Sequence, residues 1–192
     1  MITPYFMLKR PNELLKREYR LDGILEELAK RNVKIYIVLY QEPKIAINND
    51  SEFVKKYLEE IGGNNIKVIR HPNYIVIPFL WSHHEKIVLI DQKVAFLGGL
   101  DICYGRWDTQ NHPLYNPDTE SFWEGADYCN LRIRDIYKPR DYMMSNLTLS
   151  EPKMPWHDVA IQIQGPSVND IARHFTNYWN FVNFQTKIDN DR

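Results

Sequence analysis

Cysteine is nearly absent from this chain. Of 192 residues only Cys103 and Cys129 are cysteines, and they form neither a metal-ligand pair nor a disulfide framework. A reducing compartment is the default for such a sequence, and its residues imply no metal and no other cofactor. Long apolar runs are missing too. The longest, "IYIVLY" and "YIVIPFLW", fall well short of the roughly 18 residues of a membrane span, and Pro78 interrupts the second. The opening "MITPYFMLKRPNE" lacks the apolar core of a signal peptide. The expectation is an intracellular, cytoplasmic chain, soluble or peripheral at membranes. Charge of one sign is also lacking: 24 Lys and Arg stand against 25 Asp and Glu, a net of −1. That balance argues against wholesale nucleic-acid binding, which shows a strong basic bias, but leaves room for a small anion site. Apolar residues, at 44%, are ordinary for a folded globular chain and exclude general disorder. Aromatics reach 13%. Core and interface packing explains them best, ahead of a surface that meets lipid headgroups.

The length suits one domain with a real core, taken here as residues 1–192. Arg10 to Lys30 reads as helix, with Leu14, Leu21, Leu25 and Leu28 on one stripe. Gly23 weakens its middle, with Asp22 as a second cap. Asn32–Tyr40 reads as a strand buried on both faces, because its apolar run is continuous. A helix follows, with Phe53, Tyr57, Leu58 and Ile61 at helical spacing and Gly62-Gly63 as its stop. Ile66–His71 is the next strand. Strand, helix, strand is the signature of a parallel crossover. A loop held by Pro72 and Pro78 leads to the strand "HEKIVLID", the turn "DQK" and a hairpin partner "VAFLGG". The polar stretch 108–124 is a long loop, of the kind that is usually functional or mobile. "DYCNLRIRDI" resumes as an extended segment, and 140–155 is irregular. His157–Gly165 is an alternating strand. The final helix has Ser167 and Asp170 in capping-box positions and a stripe of Ile171, Phe175, Trp179 and Val182. There is no internal repeat.

The chemistry concentrates in "SHHEKIVLIDQKVAFLGGLD". Residues two apart on a strand share a face, so His84 and Lys86 point the same way, roughly 7 Å apart along the chain. An ammonium in a strand at mid-core is costly without an anion, and a phosphate fits. Lysine would supply fixed charge, and histidine a nitrogen for covalent or general acid–base work. Taken alone, His-x-Lys is more often a histidine satisfied locally beside a lysine that snorkels at a strand end. His83 and Glu85 point to the other face. Asp91 sits an odd number of residues from His84, at the turn, and is expected to support the hairpin rather than touch a reacting phosphate. Gly98 and Gly99 let a backbone approach a ligand closely, or make a bend. Asp101 and Asp108 are the carboxylates that could orient the His84 imidazole.

The spacing His84-x-Lys86-x-x-x-x-Asp91, then Gly98-Gly99, resembles the HxKxxxxD motif of the phospholipase D superfamily. The longer string "HHEKIVLIDQKVAFLGGLDICYGRWD" is similar to the first such motif of its eukaryotic lipid-hydrolysing branch. "ITPYFMLKRP", "LYQEPKIAINNDSEFVKKYL" and "MPWHDVAIQIQGPSVNDIARHFTNYWNF" extend the resemblance over essentially the whole chain. It implies an α/β fold: a mixed, largely parallel sheet flanked by helices, forming one half of a bilobed molecule, with 140–155 linker-like. It implies a two-step phosphodiester exchange that releases choline and phosphatidate from phosphatidylcholine through a phosphohistidine. His84 would attack, Lys86 would clamp the phosphate, and Asp91 belongs to the motif. Many superfamily members carry Ser after the first glycine and Asn two residues on. Here Gly99 and Asp101 stand there, which removes a serine contact to phosphate. The family uses two such motifs. Of the six histidines, none but His84 has lysine two residues on. The second half-site must then come from a missing C-terminal region or a second chain. Covering surface would be absent from the isolated chain, which should expose an apolar patch. Two other readings stay open: a homodimeric nuclease or other phosphodiesterase, and an inactive fragment that serves as a binding module.

Overall fold

The computed structural model describes residues 17–42, 50–71, 84–103, 108–114 and 155–190. Several expectations lie outside the described residues: the helix over 10–16, the loop over 72–81, His83, the part of the long loop after residue 114, the segment 127–136, Cys129, and most of 140–155. The chain divides into two compact units, residues 1–34 with 101–157 and residues 35–100 with 158–192.

In the first unit a 3-10 turn, Arg17–Tyr19, leads into helix α1, Leu21–Lys30. The helix begins after Arg20 and is not divided at Gly23. Gly23 has a packing reason instead. A Cβ there would lie 2.0 Å from the Arg17 carbonyl oxygen, so glycine lets the 3-10 turn close onto the helix. Asp22 is not a cap. It is fully buried, and Arg20 donates to both its oxygens at 2.9 and 2.7 Å. A buried carboxylate needs that pairing. The helix ends where Asn32 takes a positive φ of 61°. The Asn32 N–H reaches the Ala29 carbonyl and the Val33 N–H reaches that of Leu28, both at 3.0 Å. This is the paired C-terminal cap that satisfies two orphan carbonyls.

The second unit holds the expected crossover. Strand β1 is Ile35–Leu39, helix α2 Ser51–Gly62 and strand β2 Ile66–Arg70. The two strands pair in parallel, Ile35 with Ile66 through Leu39 with Arg70. Asp50 caps α2 by accepting from the Phe53 N–H, which offsets one unpaired helix donor. Gly63, at a φ of 52°, ends it. The buried stripe of α2 is Val54 and Leu58, while Phe53 and Tyr57 stack on each other at its side. Helix α2 also blunts an edge of β2: Lys55 donates to the Val68 carbonyl, and Glu59 accepts from the Val68 N–H. Strand β1 is not buried on both faces as expected. Tyr36 is 53% exposed, resting edge-on against Trp179. Continuous apolarity here reflects an aromatic contact on one face and core on the other.

Strands β3 (Lys86–Ile90), β4 (Val94–Gly98) and β5 (Ala160–Gln164) form an antiparallel sheet in that order. The α/β class with mixed strand directions is present. Among the described residues the parallel part is confined to β1 and β2, so the sheet is not largely parallel there. The last helix, α3, spans Val168–Asn190 and packs against β2 and β4. Its buried residues include Val168, Ala172 and Val182, with Ile171, Phe175 and Trp179 half-buried beside them. Among the described residues no helix is long and apolar enough to cross a membrane.

Leu58 is fully buried in the crossover. We expect Leu58→Ala to lower unfolding free energy by about 2–5 kcal/mol, read from urea midpoints. A Cβ on Gly98 would lie 2.4 Å from the Val159 carbonyl oxygen. Gly98→Val should therefore displace β5 from β4 and destabilise by about 1–3 kcal/mol. Loss of slow amide exchange at residues 160–164 would show it.

Candidate active site

His84 lies just before β3, and Lys86 is its first residue. The sheet puts both on one face, as period-two geometry requires. Lys86 Nζ lies 2.9 Å from His84 Nε2 and also donates to the His84 carbonyl at 2.9 Å. An ammonium can only donate, so His84 Nε2 accepts. The neutral imidazole then carries its proton on Nδ1, and its Nε2 lone pair points at a cation. Among the described residues His84 Nδ1 has no partner.

The surroundings correct one premise. His84 is exposed and Lys86 half-buried, so neither occupies mid-core. A cation at that position keeps part of its hydration, and the cost of burying it does not by itself demand an anion. Accessibility makes the case instead. In the ladder Lys86 sits opposite Gly98, and Gly98 opposite Ala160. The ladder positions beside Lys86 thus carry small residues. Val88, Ile90 and Phe96 share the same face by register and are 42, 48 and 38% exposed.

Asp91 and Gln92 both take positive φ, 51° and 55°, and the Lys93 N–H closes the turn on the Ile90 carbonyl at 2.9 Å. Aspartate tolerates this conformation better than most residues. Asp91 is exposed at the far end of β3, about 16 Å from Lys86 at the usual rise per residue. The structure does not bring it to His84 and Lys86.

Gly98 permits a close approach of the Val159–Ala160 backbone, and Gly99 one of the Asp158 side chain. A Cβ on Gly99 would meet Asp158 Oδ1 at 2.4 Å, and the Gly99 N–H donates to the Val159 carbonyl at 3.0 Å. Gly98 thus admits the strand that follows Asp158.

Asp101 and Asp108 belong to the first unit. Asp101 is buried, and its carbonyl accepts from the Cys103 N–H. Asp108 Oδ2 lies 2.7 Å from His112 Nδ1 and accepts from the Trp156 N–H at 2.7 Å. Its Oδ1 accepts from the Thr109 N–H at 2.8 Å. The carboxylate therefore orients a histidine, and that histidine is His112, whose own φ is positive at 46°. The Asp-x-x-x-His spacing was the available signal for this pair. Glu85 and His174 also pair, with Oε2 and Nε2 2.8 Å apart. No local signal joins residues so far separated in sequence.

Comparison with known proteins agrees with the motif. A family model described as Phospholipase D matches residues 6–191. Phospholipase D zeta 2 of Arabidopsis thaliana is 44% identical over 181 residues, covering 93% of this chain and 17% of that protein. Phospholipase D of Phytophthora infestans is 43% identical, with 83% and 9% covered. Phospholipase D2 of Bos taurus is 36% identical, with 94% and 22% covered. The chain thus spans between 9% and 22% of the length of these relatives. With the His-x-Lys strand in place and the match running almost end to end, this chain belongs to the phospholipase D family.

Proposed function

We propose that the chain supplies one half-site of a phospholipase D acting on phosphatidylcholine at a membrane surface, releasing choline and leaving phosphatidate. The observation that carries this reading is the contact between His84 Nε2 and Lys86 Nζ on an open strand face, in a chain of this family. The lone pair that must attack phosphorus faces the same ammonium that would clamp the phosphate. When substrate arrives, a phosphoryl oxygen takes over the Lys86 donor and frees Nε2. Nε2 then bonds to phosphorus, the bond to the choline oxygen breaks, and a histidine of the second half-site protonates the departing alkoxide. That histidine next removes a proton from water. The hydroxide attacks phosphorus, the N–P bond breaks, and His84 is regenerated. Asp91 acts on hairpin geometry. The second half-site comes from a C-terminal region or from a second chain.

Choline release from phosphatidylcholine vesicles, with exchange into added alcohol, tests the reading. His84→Ala should lower turnover by at least about 1,000-fold. Lys86→Ala should lower it by about 100-fold or more, as for other lost transition-state donors. Asp91→Asn should change it by no more than about threefold, because the turn keeps its conformation. Turnover that survives His84→Ala would overturn the mechanism, and cleavage of DNA but not lipid would favour the nuclease reading.

The open face of Val88, Ile90 and Phe96 supports a partner surface beside the site. Sedimentation of the isolated chain should show self-association, and Phe96→Lys should reduce it. A monodisperse monomer would count against completion of the site by a second copy.

A further inference from the structure

The residue between the two candidate catalytic side chains has a partner of its own. Glu85 points away from the His84 and Lys86 face, and its Oε2 lies 2.8 Å from His174 Nε2 on α3. The His174 ring is parallel to that of Tyr178, one turn further along, with centroids 6.4 Å apart and an angle of 1°. Tyr178 in turn stacks on His71 at 5.8 Å. His71 follows β2, and its N–H continues the ladder to the Leu39 carbonyl at 2.7 Å. A row of three rings and one carboxylate therefore runs from the end of β2, along α3, to the residue ahead of β3.

We propose that the Glu85–His174 hydrogen bond is a positioning device for His84. This rests on reading His84 as the attacking residue. The regular ladder begins at Lys86 with Gly98, so residues 84 and 85 lie beyond its last pair. Alternation couples them: turning Glu85 about the strand axis turns His84 and Lys86 with it. Holding the Glu85 carboxylate against α3 aims the histidine and the ammonium outward together. As an exposed pair it contributes little to global stability. Its weight is geometric, because small misplacement of a reacting atom is costly in rate.

The test uses the full 192-residue chain and reads the His84 imidazole by 15N NMR. The wild type should show mainly the Nδ1–H tautomer, the form that accepts from Lys86 at Nε2. His174→Phe keeps a ring against Tyr178 and removes the donor to Glu85. It should shift the His84 tautomer ratio at least about threefold toward an even mixture, and His174→Gln, which can still donate, should restore it. Where turnover is measured, His174→Phe should lower kcat by about tenfold with KM within about twofold. An unchanged His84 spectrum in His174→Phe overturns the proposal. Should that variant fail to fold, Glu85→Ala carries the same expectation and the same overturning result. The functional reading fails on a separate result, turnover that survives His84→Ala, which leaves the NMR outcome for the Glu85 tether intact.

Discussion

A strand cannot turn one residue without turning its neighbours. That constraint governs the site. Glu85 is held at the back by α3, so His84 and Lys86 must face forward, two residues apart and on one side. Their tips then meet at 2.9 Å. The hairpin extends the same logic. Register opposes Lys86 with Gly98 and Val88 with Phe96, which leaves small residues beside the ammonium and apolar ones further along. Without a fixed facing for β3, neither the His84–Lys86 contact nor the small residues beside it would be in place.

Around this strand the fold solves ordinary problems with local means. The parallel crossover needs a helix between its strands, and α2 supplies both that link and the polar groups that cover an edge of β2. The three-stranded sheet depends on Gly98, where a Cβ would strike the backbone of Val159 and Ala160, while Gly99 leaves room for the Asp158 side chain. Here the first glycine of the motif admits the strand that returns some 60 residues later. In the other unit Asp22 and Asp108 are buried carboxylates, each satisfied by close donors, as burial of charge requires.

Much of the fold was legible. The helix over residues 51–62 follows from Asp50 as cap, apolar spacing and a glycine stop, which are local effects. The hairpin follows from a short polar turn between apolar runs. Other features were not. The apolar run of β1 predicts burial on both faces, but Tyr36 is covered on one side by a residue of α3 and open elsewhere. Gly23 looks like a helix break, yet it accommodates the Arg17 carbonyl. Asp108 reads as a candidate partner for His84 because any nearby carboxylate would. In the structure it pairs with His112.

What the sequence by itself determined is the chemistry available: one histidine with lysine two residues on, a strand to carry them on one face, and the family to which they belong. Those are properties of residue type, spacing and period, all local. Tertiary structure decided which of these groups stand in the open, which strand the glycines admit, and that Glu85 finds His174 across 89 residues. Such contacts depend on how separate elements pack, and no period in one segment encodes the distance to another.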